Sequence, residues 1–196
     1  MKIHTERSGK HTGLSKLSFI EKRETLRRFA VRARGEVSEI RLRGLRDTDR
    51  DKIRGVLEGV EAFTPEEISV AISLVDEALN GSMAYHFLVA IDEHDTVAGY
   101  ICYGQAPMTS GTWDIYWIAI STRFQRRHIG SILLRAAEKE VRAQKGRLII
   151  IETASKPSYG ITRKFYQRMG YHMSARIAQF YSATDDKLIY SKYLTS

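Results

Sequence analysis

With 196 residues, 43% of them hydrophobic and 28% charged, the chain suits one globular domain of ordinary soluble composition, with some excess length. Its single cysteine, Cys102, excludes an internal disulfide framework and fits a reducing compartment. The net charge of +8 is uneven: residues 1–38 hold 10 Lys/Arg against 4 Asp/Glu, and the rest hold 21 against 19, so the basic balance alone does not mark a nucleic-acid binder.

Residues 1–14 are polar and aperiodic, the pattern of a mobile terminus. Residues 15–34 carry a weak helical pattern through Leu17, Ile20, Leu26, Phe29 and Ala30, open between a surface helix, a docking helix and a solvated basic extension. We therefore divide the chain into a basic extension over 1–38 and one domain over 39–196. Residues 39–45 alternate apolar and charged side chains, as a half-buried strand does. Residues 47–63 place Ile53, Val56, Leu57, Val60 and Phe63 at helical spacing. Thr64-Pro65-Glu66-Glu67 then opens a second helix, with Thr64 as N-cap and Glu67 closing a capping box, and Asn80-Gly81 stops it.

Residues 86–91 and 97–103 read as a hairpin about the polar turn 92–96. A third apolar strand, 113–121, runs into a basic turn and a helix over 130–146. A buried strand follows at 147–153, then a helix at 159–169, and two final strands at 175–182 and 188–193. The order βααβββαβαββ describes an α/β domain. Its sheet is mixed and mostly antiparallel, with about six to seven strands and helices on both faces.

The most informative stretch is the turn Gln125-Arg126-Arg127-His128-Ile129-Gly130-Ser131 between the strand at 113–121 and its helix. A strand–turn–helix of this kind aims backbone N–H groups and the positive end of a helix at one spot, which suits a phosphate ligand. Neither a dinucleotide fingerprint nor a Walker loop matches it. Together with Phe165-Tyr166-Gln167-Arg168-Met169-Gly170-Tyr171 some 35 residues later, it resembles the GNAT N-acetyltransferase superfamily from about residue 40 to 194. His128 stands where that family usually has its first glycine.

The resemblance implies acetyl-CoA as cosubstrate, with its pyrophosphate on the backbone of Gln125, Arg126, Arg127, His128, Ile129, Gly130 and Ser131. It also implies oxyanion donors around Ile118, Ala119 and Ile120, and a splay of that strand from the next that admits the pantetheine arm. Tyr166 matches the family's general acid; a phenol near pKa 10 suits a thiol leaving group of roughly 8.5–10. Asp114 stands where some members keep a catalytic glutamate. Alternation would put Asp114, Tyr116, Ile118 and Ile120 on one strand face, with Trp113 and Trp117 on the other, as core. Asp114, Glu152 and a water stay open as the base. Glu152 and Tyr116 are candidates for holding a cationic acceptor, and Tyr85, Tyr103 and residues 107–112 and 181–187 for bordering its cleft.

The function expected is transfer of acetyl to a primary amine of a small molecule or peptide, directly in a ternary complex. The other readings are a non-catalytic acyl-CoA-binding module, and an RNA- or ribosome-associated protein working through residues 1–38. No metal site is expected, since none of the six histidines is paired with Cys or another His at ligand spacing. Nor is a membrane span, since no apolar run nears the roughly 20 residues it needs. A start without a signal-type apolar core gives a cytoplasmic expectation. The oligomeric state, a homodimer included, stays open.

Overall fold

The computed structural model describes residues 27–33 and 36–194. The terminal readings over 1–26 lie outside the described residues. Strands β1 (Arg27–Ala33), β2 (Glu36–Arg43), β3 (His86–Ile91), β4 (Val97–Gln105), β5 (Thr112–Ile120), β6 (Leu148–Ala154), β7 (His172–Ser182) and β8 (Asp185–Tyr193) form one sheet. They lie in the order β1-β2-β3-β4-β5-β6-β8-β7. Helices α1 (Arg50–Glu58), α2 (Pro65–Leu79), α3 (Ile129–Ala143) and α4 (Gly160–Arg168) complete the domain. Strands β2 to β8 are the seven that the patterning suggests. β1 is an addition: it pairs antiparallel with β2 along its whole length, where the sequence suggests a helical pattern. Pairing partners override a weak helical periodicity of this kind.

Two hydrophobic layers sandwich the sheet. On one face, Ile53, Val56 and Leu57 of α1 and Ala71, Ile72 and Val75 of α2 pack against Phe87, Val89, Tyr100, Cys102 and Ala119. On the other, Ile129, Leu133, Leu134, Ala137 and Val141 of α3 and Tyr166 of α4 pack against Leu88, Ile101, Trp113, Ile115, Ile149 and Ile151. The α2 start is as the sequence predicts. Glu67 N–H donates to Thr64 Oγ1 at 3.2 Å and Thr64 N–H to Glu67 Oε2 at 2.7 Å, with Pro65 in the first turn.

Two buried carboxylates tie helices to the sheet. Asp49, just before α1, accepts from both terminal nitrogens of the Arg43 guanidinium at 2.5 and 2.9 Å. Glu138 on α3 accepts from the Tyr171 hydroxyl at 3.1 Å and from Lys192 Nζ on β8 at 2.8 Å. Buried ions persist when so partnered, and losing one partner strands the other. Cys102 is fully buried and its thiol is pushed far up by desolvation, which makes it inert packing. Among the described residues, no helix is long and apolar enough to cross a membrane.

Candidate active site

One irregularity in the sheet creates the site. β5 and β6 pair in parallel only from Thr112↔Leu148 to Ile115↔Ile151. Beyond those residues the two strands separate, leaving the β5 edge from Tyr116 to Ile120 unpaired on that side. This is the splay that the family resemblance implies and that periodicity does not reveal. A cleft of about 1530 Å³ opens there, lined by β5, the turn after it, the starts of α2 and α3, one side of α4, the end of β6 and the β7–β8 hairpin.

β5 also bulges. Tyr103 pairs with Ile115 and Cys102 with Trp117, so Tyr116 has no opposite number on β4. A bulge adds a residue and reverses the inside–outside alternation beyond it. The single face expected for Asp114, Tyr116, Ile118 and Ile120 is therefore corrected. Ile118 and Ile120 pack with Trp113 and Ile115 on the α3 side, while Trp117 joins the α1–α2 side. Trp113 and Trp117 thus lie on opposite faces, and Trp117 lines the cleft.

The turn after β5 is shaped for anion capture. Arg126 and His128 both adopt left-handed backbone conformations, with φ of 62° and 59°. Alternating handedness over successive residues curls backbone N–H groups into a concave nest. His128 is the N-cap of α3, and the first helical hydrogen bond runs from Ile132 N–H to the His128 carbonyl at 3.0 Å. The N–H groups of Ile129, Gly130 and Ser131 precede it and have no helical acceptor. A Cβ at Gly130 would sit 3.4 Å from the Phe165 ring, so glycine lets α3 start close against α4. Phe124 is buried beneath the turn, with the guanidinium groups of Arg123 and Arg127 5.7 and 5.5 Å from its ring centroid.

Of the residues singled out by sequence, Tyr116, Ile118, Ala119, Ile120, Gln125, Arg126, His128, Ile129, Gly130, Ser131, Glu152 and Tyr166 all line the cleft. Arg127 does not; it lies over Phe124 instead. Asp114 does not either. It is half-buried, opposite Gly104 on β4 and Ile150 on β6, and desolvation followed by the nearby Glu152 charge pushes its carboxyl pKa up. Glu152 reaches the cleft and pairs with Lys187 Nζ at 2.7 Å.

Tyr166 is 5% exposed, among the rings of Phe165, Tyr171 and Tyr190 at centroid distances of 5.5, 6.4 and 6.1 Å. Burial pushes its phenol well above the usual value, so it is protonated at neutral pH.

The sequence missed one wall of the cleft, formed by Glu66, Glu67, Thr153, Lys156 and Tyr159. The capping motif at Thr64 was visible but reads as purely structural. Of the expected border, Tyr181, Ser182, Thr184 and Asp185 line the cleft, whereas Tyr85, Tyr103 and residues 107–112 do not. Tyr85 instead sits edge-on to Tyr116 with centroids 5.3 Å apart, and the Tyr103 hydroxyl donates to the Glu140 carboxylate.

A sequence model of the Acetyltransferase (GNAT) family matches residues 57–171. Among solved structures, a Desulfovibrio desulfuricans protein assigned to the GNAT acetyltransferases is 40% identical. The match covers 80% of this chain and 99% of that one, with a TM-score of 0.77. The ribosomal-protein-S18-alanine N-acetyltransferase of Escherichia coli is 15% identical over 80% of this chain and 95% of its own, with a TM-score of 0.65. An aminoglycoside 6'-N-acetyltransferase complexed with coenzyme A is 17% identical over 79% of this chain and 97% of its own, with a TM-score of 0.62. These last two show a shared fold. No curated protein matches the chain.

Proposed function

We propose that this chain, which belongs to the GNAT acetyltransferase family, transfers the acetyl group of acetyl-CoA to a primary amine by direct attack in a ternary complex. The observation that carries the reading is the meeting of the left-handed turn at Arg126 and His128, the opened β5 edge and the buried Tyr166 phenol in one cleft.

The residues fit a diphosphate with an amide-bearing arm. Backbone N–H groups from Arg126 to Ser131 would hold the diphosphate. Arg126, Arg135 and Arg168 also line the cleft, with no carboxylate partner among the described residues. The β5 edge beyond Ile115 offers strand-type pairing to an extended arm. Trp117 and Thr153, which line the cleft, each hold a buried polar atom, Nε1 and Oγ1, with no hydrogen-bond partner among the described residues.

In this reading, backbone N–H groups around Ile118–Ile120 stabilise the thioester oxygen as negative charge grows on it. Tyr166 gives its proton to the departing sulfur. Glu152, which lines the cleft where Asp114 does not, takes the acceptor amine's proton directly or through a water.

The test is a thiol-release assay with acetyl-CoA against a panel of amines, with intact-mass detection of product. Release of one thiol per acetylated amine supports transfer. Binding of the coenzyme without product from any amine would favour a non-catalytic acyl-CoA module.

A further inference from the structure

Glu152 is gripped by a lysine that does not itself line the cleft. Lys187 Nζ stands 2.7 Å from Glu152 Oε2 and 3.9 Å from the centroid of the Phe180 ring. The Lys187 side chain is 15% exposed, against 50% for Glu152. The ammonium is thus shut in between a carboxylate and an aromatic face, while the carboxylate still reaches the cleft.

Sheet register brings the first two groups together. β6 and β8 run antiparallel, with Glu152 opposite Ile189 and Ala154 opposite Lys187. Glu152 and Lys187 are therefore diagonal neighbours on one face.

The aromatic face arrives by a departure from register. Between the pairs Ile177↔Lys187 and Ser182↔Asp185, residues 178–181 of β7 stand against Asp186 alone on β8. Alternation from Ile177 would put Phe180 on the side of the sheet away from Lys187. The bulge turns it back. Gln179 takes up a left-handed φ of 52° there, and its N–H donates to Asp186 Oδ1 at 2.8 Å. The other Asp186 oxygen accepts from Arg176 Nε at 2.6 Å. Bulges that re-aim a side chain gather beside active sites.

An exposed ion pair needs none of this. A half-exposed glutamate turns among several rotamers, and a base that wanders loses much of its use, because proton transfer demands hydrogen-bond reach. Lys187 removes that freedom. It takes up Oε2 from a shielded position, with its own freedom limited by the Phe180 ring.

We propose that Lys187 is a positioning residue for the reaction: it pins Glu152 Oε2 so that the other carboxylate oxygen is held ready for the acceptor amine's proton. The proposal rests on the acetyl-transfer reading and on Glu152 as its base. Lys187 touches neither acetyl-CoA nor the amine, so its effect belongs to kcat and not to the binding of either.

The test is a double-mutant cycle in thiol release, with acetyl-CoA and whichever amine of the panel reacts fastest. Lys187→Met and Lys187→Gln both remove the charge, so the outcome does not hang on one variant folding. Each should lower kcat roughly ten- to a hundredfold, with KM for both substrates and the heat of acetyl-CoA binding kept. Lys187→Arg, which still offers a cation to carboxylate and ring, should restore most of the loss. Glu152→Gln should lower kcat roughly 10²–10⁴-fold, and adding Lys187→Met to it should cost no more than about twofold. A parental kcat in both neutral variants overturns the proposal, as does a Lys187→Met loss that stays just as large beside Glu152→Gln. A parental kcat in Glu152→Gln overturns the choice of base and this proposal, and leaves acetyl transfer standing. No thiol release from any amine, with no heat from acetyl-CoA, overturns acetyl transfer and this proposal together.

Discussion

Glu67 and Tyr159, 92 residues apart in the chain, are joined by a hydrogen bond of 3.2 Å from the phenol to the carboxylate. The same carboxylate caps α2 through Thr64 N–H at 2.7 Å. One side chain therefore fixes the start of a helix and braces the segment that leads into α4, where Tyr166 resides.

Tyr159→Phe removes that brace without changing ring packing. A net hydrogen bond of this kind contributes about 1 kcal/mol, so the midpoint of thermal unfolding should fall by about 2–4 °C. In a double-mutant cycle with Glu67→Gln, the two losses should combine to less than their sum.

Asp114 supplies a pH test. Its carboxyl pKa is raised in the folded state by burial and by Glu152. The native protein therefore holds a proton that the unfolded chain, with an aspartate near 3.9, has already released. Stability from this group is full below the unfolded value and is lost as pH rises through the folded one. Asp114→Asn has no such loss. Its melting temperature should match the parent's near pH 3, exceed it as pH rises from the unfolded value to the folded one, and keep a constant lead above that.

His128 occupies a left-handed position, φ 59°, at the N-cap of α3. Glycine meets that geometry freely, histidine tolerates it, and a β-branched residue resists it. His128→Gly should bind acetyl-CoA at least as tightly as the parent. His128→Val should bind it more weakly and lose about 1–2 kcal/mol of stability, as titration and denaturant unfolding would report.

Tyr166→Phe addresses the proton given to sulfur. Turnover should fall roughly 10²–10⁴-fold with acetyl-CoA affinity nearly kept. Unchanged turnover would remove the phenol from the mechanism.

The elements from β2 onward were legible because capping and periodicity are local signals. The cap at Thr64, the stop at Asn80-Gly81 and the apolar runs of β3 to β6 lie close to where the patterning puts them. The turn around His128 was legible too, because its strand–turn–helix context is contiguous in sequence. What escaped is set by pairing between distant segments. The bulge at Tyr116 depends on register with β4, and it alone moves Ile118 and Ile120 to the opposite face from Asp114. Asp114 falls outside the cleft because it lies where β5 is still paired with β6, opposite Ile150, whereas Glu152 lies past the end of that pairing. Glu67 and Tyr159 belong to segments no periodicity connects, so the wall of the cleft they share had no sequence signature. The strand at Arg27–Ala33 arises from pairing with β2, which outweighs a weak helical pattern.

The measurement that bears most directly on this account is calorimetric titration of the purified full chain with acetyl-CoA and with free coenzyme A. A turn from Gln125 to Ser131 that grips a diphosphate predicts one-to-one heat with both, weakened by Arg126→Ala and by His128→Val. No heat from either ligand would contradict it.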